Sequence, residues 1–264
     1  MKTTIQLPGS GWQWIAFRTL IGREMHRFLR IWRQSLVTPA LTTSLYVLIF
    51  GISLGSRIDL GSGVPYLHFL IPGLMMMSLI NSALVNSSTT LHQAKMNGSI
   101  IDLLVSPLSS TAIAAAYALA SIARGVIVAT LVMFVGHALG VPFPRQPLMA
   151  LFVAILTGWM FSSFGAIVGI QARRYEQMHS YTTMIITPLT YLGGVFYTVH
   201  VLPPFWQSVS RLNPIFYIID SFRYAYLGIS DIHPFRSVGI ILLVTIGMSL
   251  LLIRTLNHSH RLRP

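Results

Sequence analysis

The sequence predicts an all-α polytopic membrane protein, and three observations carry that expectation. Hydrophobic residues make up 53% of the chain and charged residues only 9%, where a soluble domain carries about 25% charged residues. Mean hydropathy is +0.67. Apolar runs almost free of charge recur along the chain, each near the roughly 20 residues of helix that a bilayer requires. They read as six transmembrane helices at Ser35–Ser56, Leu67–Leu91, Ser109–His137, Leu148–Ile170, His179–Tyr197 and Ser237–Ile253. Only the third holds a charge, Arg124. The connections are short, and no repeat or low-complexity linker divides the chain. Residues 1–264 therefore read as one domain: an interfacial segment over 1–33, a six-span bundle over 34–256 and a tail over 257–264.

A formal charge of +12 would suggest nucleic acid in a soluble protein. In a chain this apolar, what matters is where the 18 Lys and Arg sit relative to the membrane, and no nucleic-acid partner is expected. An even number of spans puts both termini on one side. That side receives Lys2, Arg18, Arg23, Arg27, Arg30, Arg33, Lys95, Arg173, Arg174, Arg254, Arg261 and Arg263. The other receives Arg57, Arg145, Arg211, Arg223 and Arg236. Basic residues collect in the cytoplasm, so both termini are expected there. Cysteine is absent, which excludes disulfides and thiolate metal sites.

In chain order, the start is not read as a cleavable signal peptide, because no short apolar core precedes a small-residue cleavage site. Instead "WQWIAFRTLIGREMHRFLRIWRQ" has helical periodicity. Trp14, Phe17, Ile21, Met25, Phe28 and Trp32 gather on one side, with Arg23, Arg27 and Arg30 opposite. This predicts an amphipathic helix in the membrane interface, its arginines toward lipid head groups; the alternative is a helix packed on a protein partner. Between spans two and three, Asn97-Gly98 turns the chain and Ser99 with Asp102 has the form of a capping box. A short greasy helix follows through Ile100, Ile101, Leu103, Leu104 and Val105, closed by Pro107. It would either pack beneath the bundle or dock into a soluble partner. Between spans five and six, Gly193, Gly194, Phe196, Tyr197, Pro203, Pro204, Phe205, Trp206, Pro214 and Phe216 interrupt an otherwise apolar stretch. Broken backbone at membrane depth is tolerated only where protein or a water-filled cavity covers its polar groups.

Two other classes of function are weighed against these features. Nine histidines show no H-E-x-x-H or other metal-site spacing, and His68, His92, His137, His179 and His200 lie at span ends. A transferase acting on lipid-linked substrates would need a catalytic acid or histidine. Asp220 is the only candidate, and pairing with Arg223 or Arg211 is the simpler expectation, so no catalytic residue is assigned. The six carboxylates fall in loops or near interfaces, whereas ion-coupled carriers place acids inside their spans. The sequence holds no G-x-x-x-x-G-K-[ST] phosphate loop, so ATP-driven work would need a separate chain.

The order of an amphipathic basic start, "YLHFLIPGLMMMS", "NGSIIDLLVSPLSS" and "TPLTYLGGVFYTVHVLPPFWQSVSRLNPIFYIIDSFRYAYLG" resembles the permease subunits of ABC-2 type exporters, the YadH-like and NodJ-like group. The resemblance covers nearly the whole chain, and its last motif is the most specific. It implies a homodimer in the bacterial inner membrane, with a substrate pathway at the dimer interface. It also implies two copies of a separate ABC ATPase using ATP and Mg, with no cofactor on this chain. Residues Ser99–Ser106 match the coupling helix that seats on the ATPase. Gly193–Gly228 match a pair of short re-entrant helices in the outer leaflet, which would form an outer gate. Arg124 would either pair within the bundle or line the pathway for an anionic head group.

Overall fold

A computed structural model describes residues 10–53, 55, 63–106 and 108–259. Among the described residues there are helices and turns but no strand. Helix α1 (Ser10–Arg30) leads into α2 (Thr38–Tyr46), which lies between π-helical turns at Arg33–Val37 and Val47–Ser53. Then come α3 (Tyr66–Met96), the short α4 (Ile100–Val105), α5 (Ser110–Ala138) and α6 (Pro147–Gln171). A π-helical turn at Thr182–Ile186 joins α7 (Tyr175–Tyr181) to α8 (Thr187–Leu192). The chain closes with α9 (Pro204–Leu212), α10 (Pro214–Leu227) and α11 (Pro234–Ser259).

Among the described residues, five helices are long and apolar enough to cross a membrane: Arg33–Ser53, α3, α5, α6 and Pro234–His258 of α11. The expected span His179–Tyr197 takes a different form. Its helix occupies residues 175–192 and stops at Gly193, after which Gly194 turns the chain at φ +84°. Four threonines (Thr182, Thr183, Thr187 and Thr190) dilute its hydropathy.

Helix α3 is the axis of the bundle, packed along α5 and α6 and touched by α2, α7 and α10. Small residues on α6 allow the closest approach. A Cβ at Gly165 would strike the carbonyl oxygen of Leu84, and one at Gly169 that of Ser88. Their G-x-x-x-G spacing is the usual means by which membrane helices bring backbones together. Where the helices meet, Asn86 Nδ2 donates to Ser121 Oγ at 3.0 Å, and Ser87 Oγ lies 2.7 Å from Ser121 Oγ and 2.6 Å from Ser162 Oγ. Three helices thus share one buried hydroxyl cluster. In apolar surroundings such groups must find partners within the protein.

The π-helical turns have a local cause at two of their three positions. Pro39 and Pro188 lack the N–H that would bond the carbonyl four residues back, and their rings crowd that carbonyl. The helix widens just before each: Thr38 N donates to Arg33 O, and Thr187 N to Thr182 O, both five residues back.

At one end of the bundle, Leu20 of α1, Leu91, Leu103 of α4, Ile113, Ile170 and Leu256 form a separate apolar cluster. At that end Lys95 Nζ donates to the terminal carbonyls of α6, Ile170 O at 2.7 Å and Ala172 O at 3.2 Å. A cation at a helix C-terminus satisfies free carbonyls and complements the helix dipole. The start of the α3–α5 connection is thereby fastened to α6.

Gly165→Ala forces α3 and α6 apart and is expected to destabilise the purified protein by about 1–3 kcal/mol. Gly247→Ala, where a Cβ meets nothing within 4 Å, should be neutral or slightly stabilising, since Ala is the better helix former. Thermal midpoints in detergent read the difference.

Candidate functional site

The α1–α2 corner, the face of α3 and Arg124 of α5 enclose a cleft of about 1090 Å³. Its wall is unusually polar for a membrane-spanning bundle. Thr38, Thr42 and Thr43 line it from α2, and Ser78, Asn81, Ser82 and Thr89 from α3. Thr43 and Ser78 bond each other at 2.7 Å. The buried hydroxyls of Ser35, Ser82 and Thr89 have no partner among the described residues.

Arginines of α1 form one mouth of the cleft. Arg23, Arg27 and Arg30 all line it. Glu24, 1% exposed, takes Arg27 Nε at 3.1 Å and Arg23 Nη2 at 3.4 Å. Arg27 departs from the expected head-group orientation. Its Nη2 turns inward to Asn86 Oδ1 at 3.0 Å, because a buried carboxylate beside it and an amide on α3 offer charge-assisted bonds that lipid does not. Arg23 and Arg30 remain exposed. The apolar face of α1 is divided too. Phe28 is fully buried and Phe17 and Ile21 pack on the end cluster, while Trp14 and Trp32 stay exposed.

Arg124 lies near the middle of α5 and is only 9% exposed. Its Nη1 reaches Asn86 Oδ1 at 3.4 Å, and its Nε has no partner among the described residues. It faces the cleft, as a cation at that depth must if it is to avoid lipid.

Toward the opposite end, an aromatic cluster stands beside the cleft-lining Tyr46. Phe196 is its centre, with ring centroids 4.9 Å from Phe50, 5.7 Å from Tyr191 and 6.0 Å from Tyr46. Tyr66 Oη donates to Phe196 O at 2.9 Å. The other aromatics expected at this end are not gathered with it. Phe205 and Trp206 point outward from α9, Tyr197 is half-buried, and Phe216 is in the core. The prolines serve local geometry: Pro204 and Pro214 open α9 and α10, the first helical position where a missing N–H costs nothing, and Pro203 is the N-cap of α9.

Asp220 does not form the expected ion pair with Arg223 or Arg211. It accepts the backbone N–H of Asp231 and, at 3.3 Å, the hydroxyl of Ser237. Arg223 instead donates to Gly194 O at 2.8 Å and lies over the Phe69 ring at 3.6 Å. Neutral and backbone partners within reach take the place of the ion pair, and Arg223 Nε is left without a partner among the described residues.

Helix α4 forms as expected, but its capping box does not. The side chain of Ser99 makes no cap bond and reaches back to Ala94 O at 3.4 Å. Ser99 has already taken helical dihedrals (φ −68°, ψ −7°), which removes the extended geometry a cap requires. Leu103 faces the bundle, Ile100 is half-buried and Asp102 is exposed. Ile101 and Val105, one turn apart, are 54% and 65% exposed. The Leu104 side chain and Pro107 lie outside the described residues.

Asn86, Tyr46 and the Ser87, Ser121 and Ser162 hydroxyls were not singled out from sequence. The available signal was their placement: polar residues inside spans otherwise free of charge, which membrane proteins keep for interior or pathway faces.

A bundle of helices long and apolar enough to span a membrane, with a polar cleft among them, has the features of a membrane transport protein. The chain belongs to the ABC-2 type transporter family, whose description matches residues 15–227. It is 41% identical over 241 residues to the inner membrane transport permease YadH of Escherichia coli (strain K12), covering 90% of this chain and 93% of that protein. It is 29% identical to nodulation protein J of Sinorhizobium fredii (strain NBRC 101917 / NGR234) over 230 residues, covering 84% of each. The same identity holds over 247 residues with nodulation protein J of Rhizobium meliloti (strain 1021), covering 88% of each.

Asn86→Ala removes the acceptor shared by Arg27 and Arg124 and the donor to Ser121. The expected loss is about 1.5–3 kcal/mol, as for hydrogen bonds to charged groups. Asn81→Ala on the same cleft wall should stay within about 0.5 kcal/mol of the parent. Denaturation of the two variants in matched lipid checks the contrast.

Proposed function

We propose that the chain is the permease subunit of an ATP-driven exporter of the bacterial inner membrane, with both termini cytoplasmic. It works as a homodimer that moves an amphipathic or lipid-linked substrate outward between its subunits. The cleft carries the proposal, because a polar groove of this size along α2 and α3 has no structural purpose in a bundle that could pack shut. In a dimer, two such grooves would face each other and make one path. The arginines at one mouth and the aromatic rings beside Tyr46 would give that path a cytoplasmic entry and an outer closure at Phe196.

The fifth span in this scheme, which brings the number to six, is the helix over residues 175–192, about 27 Å long at 1.5 Å per residue and therefore close to the 30 Å hydrocarbon core. The segments α9 and α10 would then be the re-entrant pair, and α1 the interfacial helix, with Arg23 and Arg30 free to meet head groups. ABC-2 permeases work with ABC ATPases, and α4 offers the docking edge. ATP binding would draw two ATPases together and push on α4, and the push would reach α3 and α6 through Leu103 and the Lys95 cap. Chemistry stays on the ATPase, which uses ATP and Mg; this chain supplies the path.

Two measurements test the scheme. Ile101→Asp with Val105→Asp should leave the permease inserted while abolishing co-purification with its ATPase and ATP-dependent transport. Retained binding would move the docking site to Arg173 and Arg174 in the next connection on that side. Thr42→Cys, on the cleft wall, should react with a charged thiol reagent that needs water, whereas Leu48→Cys, exposed on the same helical rod but outside the cleft, should not. The natural absence of cysteine gives both a clean background, and equal reactivity would rule out a hydrated path.

A further inference from the structure

The arginine mouth of the cleft holds more positive charge than the protein neutralises. Arg23, Arg27, Arg30 and Arg124 line it together, and Glu24 is the one carboxylate among the lining residues. That carboxylate is already bonded to Arg23 and Arg27. Four guanidinium groups against one carboxylate leave three positive charges over.

Their arrangement is as telling as their number. Arg27 and Arg124 come from different helices and converge on the same atom, Asn86 Oδ1, at 3.0 and 3.4 Å. A neutral amide oxygen holds two like charges side by side there. Arg124 keeps its buried Nε without a partner among the described residues. Buried cations are ordinarily paired, and a mid-span arginine is costly unless something compensates it. Both arginines line a cleft of about 1090 Å³, large enough for a ligand.

We propose that this mouth is a phosphate-binding site, with Arg124 and Arg27 as its paired donors. Guanidinium groups offer planar forks of N–H donors that match phosphate oxygens two at a time. An excess of several positive charges suits a phosphate monoester dianion or a pyrophosphate better than a carboxylate. The partly apolar wall below, with Met77 and Val85, suits a ligand carrying its phosphate on a lipid. Assigning that phosphate to cargo rests on the export reading; the binding chemistry rests on the geometry alone.

The test uses the full chain in phosphatidylcholine nanodiscs. Phosphatidic acid is introduced in one series, and inorganic phosphate or pyrophosphate in another, with matched chloride as control. Retained lipid is counted by native mass spectrometry, and soluble anions are followed by the shift in thermal midpoint. The wild type should select at least one phosphate probe over its control. Arg124→Gln should weaken that selection by about tenfold, the loss expected of one strong charged contact. Arg124→Lys should keep most of it, and Arg18→Gln, an exposed cation of α1 outside the cleft, all of it. Selection of phosphatidic acid alone assigns the site to a lipid phosphate; selection of pyrophosphate without lipid assigns it to a soluble one. If no phosphate probe is preferred, or if Arg124→Gln binds as well as wild type, the proposal is overturned. Neither readout involves the ATPase, so failure here leaves the export reading standing. Conversely, loss of ATPase coupling would not touch the site.

Discussion

The contact between α3 and α6 is the constraint on which the rest of the bundle depends. Backbone meets backbone at Gly165 and Gly169, which brings the two helices closer than side chains would allow. That closeness lets Ser87 and Ser162 bond directly at 2.6 Å and places Lys95 over the last carbonyls of α6. Lipid provides no hydrophobic drive for helices to associate, so packing and interhelical hydrogen bonds must supply it. The individual bonds are small, on the order of 0.6 kcal/mol in membranes. Their effect comes from being joined in one cluster across three helices.

Asn86 extends that cluster outward. Its amide nitrogen serves the serines and its oxygen serves two arginines, one on α5 and one on α1. The helix at the surface is thereby tied to the centre of the bundle through one side chain. Movement of α1 and rearrangement of the cleft therefore share a common point.

The spans were legible because hydropathy depends on composition alone, and four of the expected runs match α3, α5, α6 and α11 to within a few residues. The first run was legible as a span but not in detail, since Pro39 was not recognised as a reason for π-helical widening. The run through His179–Tyr197 was harder, because its threonines and Pro188 weaken it and its end at Gly193 is set by the turn that follows. Helix α4 could be placed from Asn97-Gly98, but its cap could not, because Ser99 chooses between backbone partners that only the folded loop presents. The amphipathic pattern of α1 placed the helix but neither the division of its apolar face, where Phe28 is buried and Trp14 and Trp32 are exposed, nor Arg27, whose partners Glu24 and Asn86 lie on a neighbouring turn and a distant helix. The same limit hid the cleft. A serine or threonine within an apolar run reads as neutral until the facing helix is known.

The hold that Arg223 exerts on Gly194 O and the Phe69 ring fastens the turn after α8 and the helix α10 onto α3. Neither of the two groups it touches can gain or lose a proton. Buried contacts of this kind are also screened little by dissolved ions. The two contacts themselves therefore hold no titrating partner, while Asp220 and Asp231 lie near enough to act on the charge of Arg223. The turn after α8, the helix α10 and α3 are thus held as one piece by a single cation set between a carbonyl and a ring.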